Sequence, residues 1–170
     1  MCADAAAPIH SFAPIVAPEA KVLILGTMPG KKSLELQQYY GHPRNAFWPI
    51  LFALFAENCA TDYECRKNLI RSHGLALWDV LQHCRRPGSM DADIQKEVPN
   101  DFGTFLRQHE SIHTIYFNGN NAHRFFRRHV GFPEGYRYAT LPSTSPAYAR
   151  IGFAEKLQRW RVVVEALKDT

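Results

Sequence analysis

Residues 22–48 read VLILGTMPGKKSLELQQYYGHPRNAFW, and the organisation of the chain follows from them. Val22, Leu23, Ile24 and Leu25 form an apolar run too short for a helix and suited to a strand buried on both faces. Gly26 ends that strand, and Pro29-Gly30 forces a tight turn. Tyr39-Tyr40-Gly41-His42-Pro43-Arg44-Asn45-Ala46-Phe47-Trp48 then brings aromatic rings, an amide, a cation and two backbone breakers into one short segment. A buried strand feeding a glycine turn is common. A plain core has no need of so dense a mixture of polar and aromatic groups directly after it.

Outward from this stretch the alternation repeats. Residues 75–78 and 114–117 are further short apolar runs, and residues 136–141 complete a set of four strands with residues 21–26. Helical patterns lie between them. Residues 45–55 carry Phe47, Ile50, Leu51, Leu54 and Phe55 at helical spacing, with Asn45 able to cap them. Residues 61–72 place Thr61 and Glu64 as a capping box. Residues 101–108 and the basic segment 122–129 follow. Residues 153–167 close the chain as an amphipathic helix with Phe153, Leu157, Trp160, Val163, Val164 and Leu167 on its apolar stripe. Residues 79–100, with Pro87-Gly88 and Pro99, read as an irregular surface loop. Strands separated by helices predict an α/β domain whose mainly parallel sheet is covered on both faces.

The chain has 170 residues, enough for one domain at residues 19–170, preceded by an Ala- and Pro-rich stretch, 1–18, read as a flexible arm. That arm lacks the basic start and apolar block of a signal peptide. No apolar run approaches the ~18 residues of a membrane span. The expectation is a monomeric cytoplasmic protein. A net charge of +4 permits a polyanionic partner without requiring one. The charge gathers at Arg85-Arg86 and at Arg124, Arg127 and Arg128, although the latter three could equally be a solvated helix face. Cys2, Cys59, Cys65 and Cys84 show no CxxC pair and no zinc-type spacing with histidine, so they read as reduced thiols and no metal is expected.

Sheets of this kind bind ligands outside the carboxyl ends of their strands. The residues that follow the four strands are Gly26-Thr27-Met28-Pro29-Gly30, Asp79, Asn118-Gly119-Asn120 and Ser143-Thr144-Ser145-Pro146, and they should share one crevice. The first of these is neither a Walker loop nor GxGxxG; its backbone could approach a ligand, or it could simply be a turn. Tyr39-Tyr40 could offer a flat face to a planar ligand or pack in the core. Asn45 could hold a water, read a base edge or cap its helix. Asp79 could accept a hydrogen bond or a proton, or serve as an N-cap, and His42 fits a structural role. Ser143 to Pro146 offers hydroxyls and free backbone amides suited to a phosphate, or a rigid turn. Tyr148 and Arg150 could meet a nucleic-acid backbone or a stacked base.

At these residues the sequence resembles the uracil-DNA glycosylase superfamily. Gly26-Thr27-Met28-Pro29-Gly30 is similar to its G-x-x-P-[GY] water-activating loop. Residues 40–48, YGHPRNAFW, are similar to a stretch of the mismatch-specific uracil glycosylases. Ser143-Thr144-Ser145-Pro146-Ala147 stands where the second superfamily motif falls. The nearest resemblance is to the hypoxanthine-DNA glycosylase (DNA-deoxyinosine glycosylase) branch, over residues 22–160.

The resemblance implies a three-layer α/β/α sandwich with a central four-stranded parallel sheet. It also implies hydrolysis of the N-glycosidic bond of a deaminated base flipped out of double- or single-stranded DNA. Carried over by position, Tyr40 would stack on the flipped base and Asn45 would be the catalytic asparagine. Asp79, Thr27 and Met28 would lie against the base. Gly30, Ser143, Thr144 and Ser145 would hold flanking phosphates, while Ala147, Tyr148 and Arg150 would enter the groove. The chain departs from the uracil enzymes at Thr27-Met28, where they carry Asp or Asn, and at Ser143, where some carry His. Those departures move water handling to Asn45. The cluster-binding cysteines of the iron–sulfur branches are missing, so no cofactor is expected. Asp79 as general base with Asn45 reading the base remains the alternative division of roles. Uracil excision, or a binding module without chemistry, remain alternative functions.

Overall fold

The computed structural model describes residues 6–58 and 60–169. Among the described residues the strands form two sheets. The larger contains β2 (Ile15–Val16), β3 (Val22–Gly26), β4 (Leu75–Asp79), β7 (Thr114–Asn118) and β8 (Arg137–Leu141), in the order β2-β4-β3-β7-β8. β3, β4, β7 and β8 run parallel, and β2 adds an antiparallel edge to β4. The smaller sheet has the order β1-β5-β6, from β1 (Pro8–His10), β5 (Leu81–Arg85) and β6 (Gln95–Pro99), all antiparallel.

The four parallel strands are those the sequence predicts; β3, β4 and β7 are buried on both faces, and β8 is the more exposed edge. In β3, Val22 and Ile24 enter one core and Leu23 and Leu25 the other. Leu75 and Leu77 of β4 alternate in the same way with Ala76 and Trp78. This is the period-2 pattern of a strand between two layers. On the first face lie α2 (Phe47–Leu54), α3 (Tyr63–Ser72), α6 (Phe153–Trp160) and α7 (Val162–Leu167). On the second lie α4 (Phe102–Gln108) and α5 (Asn120–His129), through Phe102, Phe105, Leu106, Phe125 and Phe126. The three-layer α/β/α sandwich is therefore present, with one strand more than the four expected.

Several expectations are corrected. Residues 79–100 are not an irregular loop, since they hold β5 and β6. The clue was faint because β5 alternates weakly and β6 is mostly exposed. Within residues 1–18, the stretch 8–16 is not a free arm. Ile9 pairs with Cys84 and Ile15 with Leu77, so backbone hydrogen bonding holds it; residues 1–5 lie outside the described residues. Asp62, rather than Thr61, caps α3, accepting from the Cys65 N–H at 3.0 Å. The closing helix breaks at Arg161, and Phe153 is exposed while Lys156 is buried. An unforeseen short helix, α1 (Lys31–Leu36), follows the first turn. Cys65 is exposed and Cys84 buried as free thiols, while Cys2 and Cys59 lie outside the described residues. Among the described residues no helix is long and apolar enough to cross a membrane.

Trp160 joins helix layer to sheet ends. It is fully buried, meets Phe47 edge-on at 5.9 Å, and its indole N–H donates to the Pro142 carbonyl at 2.9 Å. Trp160→Ala is expected to cost about 3–5 kcal/mol, the usual range for emptying a large aromatic site. Urea denaturation of the variant against the parent measures it.

Candidate active site

The carboxyl ends of β3, β4, β7 and β8 open into one cleft of about 680 Å³. Its walls include Thr27, Met28, Gly30, Tyr40, Asn45, Asp79, Ser143, Thr144, Ser145, Ala147 and Tyr148, so the predicted convergence of strand tips is present. Arg150 is exposed and stands outside that lining.

The two adjacent tyrosines divide between core and cleft. Tyr39 is buried, donates its hydroxyl to the Ala13 carbonyl at 2.9 Å and accepts the Trp48 indole N–H on its own carbonyl at 2.8 Å. Tyr40 adopts a left-handed backbone, φ 51°, which a bulky residue enters only under constraint. Its ring stacks on Phe47 with centroids 4.0 Å apart, so one face is occupied. Its hydroxyl reaches over Gly26. A Cβ on Gly26 would lie 2.5 Å from Asp79 Oδ1 and 2.7 Å from the Tyr40 hydroxyl oxygen, so a residue without a side chain is required there.

Asp79 is 3% exposed. Its Oδ2 and the Tyr40 hydroxyl are buried with no hydrogen-bond partner among the described residues. Asn118 approaches the Tyr40 hydroxyl without completing a hydrogen bond. Burial, aided by the nearby Asp91 charge, pushes the Asp79 carboxyl up to about 7. The corner beneath it is rigid: Asn100 donates its side-chain amide to the Asp79 carbonyl at 2.8 Å and the Leu81 carbonyl at 3.2 Å. Asp79 is thus no helix N-cap; it is the last residue of β4, with its side chain buried at the cleft.

Asn45 precedes α2 and accepts the Phe47 N–H on Oδ1 at 2.9 Å. Ala46, not Asn45, is the N-cap of α2, so the Asn45 bond lies one residue ahead of the cap; it fixes the amide at the cleft wall and leaves that oxygen a second lone pair. The next residue, Ala46, donates its N–H to the Thr144 carbonyl at 3.0 Å, which joins this segment to the serine-rich turn.

That turn differs from the expectation of free amides. The Thr144 N–H donates to Asn118 Oδ1 at 3.0 Å, and the Asn118 amide donates to the Thr144 hydroxyl oxygen at 2.9 Å. Thr144 is 1% exposed, so its side chain braces the turn and does not face a phosphate. The Ser145 and Ala147 N–H groups donate to the Ser143 and Ser145 hydroxyl oxygens, each at 3.2 Å. The hydroxyls of Ser143 and Ser145 still have protons to offer an anion. Gly119, at φ 91°, lets Ser143 come close, since a Cβ there would sit 3.1 Å from the serine Cβ. Lys156 holds the far side, donating to the Tyr148 carbonyl at 2.7 Å.

Among the cleft residues that the sequence left unassigned are Arg86, Asp91 and Asn121. Arg86 is buried and donates to the Pro29 carbonyl at 2.9 Å, which fixes the first turn. Asp91 begins a 3-10 turn, Asp91–Asp93, between β5 and β6, and accepts from the Asn121 amide at 3.2 Å. No local pattern could reveal Asp91, because the β5–β6 hairpin that delivers it was not legible. Arg124, Arg127 and Arg128 are exposed on α5, with Arg128 paired to Glu97 at 3.0 Å.

The Asp79 carboxyl makes a stability prediction. Unfolded, an aspartate titrates near ~4. Between that value and about 7 the folded protein holds a proton that the unfolded chain has released, so stability falls as pH rises through this window and is level above it. Asp79→Asn should remove that slope and be more stable than the parent at pH ~8 by a few kcal/mol. Thermal melts of both proteins across the window read it out.

A model of the family described as the uracil DNA glycosylase superfamily matches residues 13–168. A hypoxanthine DNA glycosylase of Methanosarcina barkeri is 30% identical over 157 residues, covering 88% of this chain and 98% of that protein. A hypoxanthine DNA glycosylase of Methanosarcina acetivorans is 32% identical over 155 residues, covering 91% and 96%. The solution NMR structure of a Methanosarcina acetivorans protein superposes with a TM-score of 0.80 at 30% identity, covering 96% of this chain and all of that one. With its strand tips, its cleft and this match along nearly its whole length, the chain belongs to the uracil DNA glycosylase superfamily.

Proposed function

We propose that this protein is a monofunctional DNA glycosylase that hydrolyses deoxyinosine in DNA and releases hypoxanthine. The observation that carries the reading is the meeting of Tyr40, Asn45 and Asp79 in one cleft, in a chain similar along most of its length to two hypoxanthine DNA glycosylases. The substrate is double- or single-stranded DNA carrying a deaminated base. The proposed form is a monomer, and the proposed compartment is the cytoplasm.

The flipped base enters between the first turn and Tyr40. Thr27 and Met28 line its side, and the ring face of Tyr40 not taken by Phe47 stacks on it. Asp79 meets its amide edge: the unpartnered Oδ2 suits the N1–H of hypoxanthine. The same group would suit the N3–H of uracil, so uracil is the second reading. Gly30 and the hydroxyls of Ser143 and Ser145 take the flanking phosphates, and Ala147, Tyr148 and Arg150 enter the groove. Flipping costs a few kcal/mol and least at a mispaired base, which favours lesions before any base edge is read.

Breaking the bond develops positive charge on the sugar and negative charge on the departing purine. Asn45 is a neutral amide and a poor base, but its fixed oxygen orients water against a cation already forming. Such positioning supplies several kcal/mol. A gel assay on duplexes carrying deoxyinosine, uracil or an undamaged base, followed by alkali, tests the reading. Cleavage at deoxyinosine is expected, with Asn45→Ala slower on the order of 10²-fold or more at unchanged DNA affinity. Tyr40→Ala should slow single turnover through weaker capture of the base. Normal turnover by Asn45→Ala would refute the assignment of that residue, and cleavage at uracil alone would reassign the lesion.

A further inference from the structure

The cleft holds two carboxylates from different elements, in different surroundings. Asp79 ends β4, is 3% exposed, and has an oxygen without a partner among the described residues. Asp91 comes from the turn between β5 and β6 and is half-buried; burial pushes its carboxyl up, and polar and cationic neighbours oppose that rise. The Asn121 amide donates to its Oδ2 at 3.2 Å; Arg86, just past β5, the Thr27 hydroxyl and Arg124 of α5 also favour the charged form. Facing it across the cleft are Asp79 and Tyr40. The two acids thus sit in different surroundings, Asp79 with an oxygen left without a partner among the described residues and Asp91 beside an amide, a hydroxyl and two cations, the kind of difference by which neighbouring acids take separate roles.

We propose that Asp91 is a catalytic residue of this cleft, the base that accepts the proton of the attacking water while Asn45 orients that water. The proposal rests on the N-glycosidic reading above. An amide accepts no proton at neutral pH, and Asp79 is committed to the base edge. Asp91 reaches the cleft beside Thr27, on the turn that follows β3. In the step, the water oxygen bonds to C1′ as the C1′–N9 bond breaks, and the bonding pair leaves with the purine. The water proton passes to the Asp91 carboxylate and on to solvent, and the purine anion takes a proton from solvent. Water is consumed, and no oxidant or metal enters the balance.

Asp91→Asn keeps the size of the side chain and an acceptor for Asn121, so it separates chemistry from structure. Its single-turnover rate on a deoxyinosine duplex should fall on the order of 10²-fold or more. Its DNA affinity, by fluorescence anisotropy, should be unchanged or tighter, because a negative charge facing phosphates has gone. Asp91→Ala should be partly restored by added formate, which a bracing role would not produce. A rate for Asp91→Asn equal to the parent's would overturn the proposal. So would equal losses of rate and affinity in a variant with a lowered melting temperature, which mark a structural residue. Failure of the parent to cleave any deaminated duplex would overturn the functional reading, and this proposal with it.

Discussion

The position on which the site depends is Gly26, where the first strand gives way to its turn. Two polar groups from distant parts of the chain, the Asp79 carboxylate and the Tyr40 hydroxyl, occupy the volume a side chain would need. Each is buried and each has an atom without a hydrogen-bond partner among the described residues. A buried unsatisfied polar atom costs about 1–3 kcal/mol, so a fold keeps two side by side only at a place where something else is to bind. The left-handed backbone of Tyr40 adds to that cost. Stacking on Phe47 and the buried neighbour Tyr39 hold the residue there, so packing elsewhere offsets the strain.

The remaining walls are tied to that point by short polar links. Asn118, at the end of β7, uses both ends of its amide on Thr144. Ala46 hydrogen-bonds the same residue from the start of α2, and Trp160 and Lys156 of α6 hold the carbonyls on either side of the turn. Arg86 fixes the Pro29 carbonyl on the opposite wall. Each link crosses from one strand tip to another element. The cleft is therefore preformed, and the side chains that meet a base are placed by backbone more than by their own freedom.

Much of this was legible in the sequence because it is carried by local rules. Three apolar runs and the segment 136–141 mark the parallel strands and, from them, the common edge where ligands bind. What was not legible has specific causes. β5 and β6 form a small exposed sheet, so their alternation is diluted, and with them went Asp91 and Arg86 as site residues. The pairing of residues 8–16 with β5 and β4 is a long-range contact with no local signature. The serine-rich turn was recognisable by composition, but composition could not say that the Thr144, Ser145 and Ala147 amides are consumed internally and that Thr144 faces inward.

Two carboxylates in a cleft built for a polyanion need a physical reason. Each repels phosphate, and the exposed Lys31 and Lys32 at the cleft wall, with a net charge of only +4 for the whole chain, do not offset that by excess. The repulsion matters little where solvent and salt screen it and more where the groups are buried. Asp79 avoids the conflict by burial, which favours its neutral form and leaves an acid able to meet an amide edge. At Asp91 burial also favours the neutral form, and Asn121, Arg86, Thr27 and Arg124 work against it. On the proposed reading, a negative charge at Asp91 faces the positive charge that the sugar develops as the glycosidic bond breaks. Its interaction with the ground state is small or unfavourable, and its interaction with the transition state is favourable, which is the sign catalysis requires.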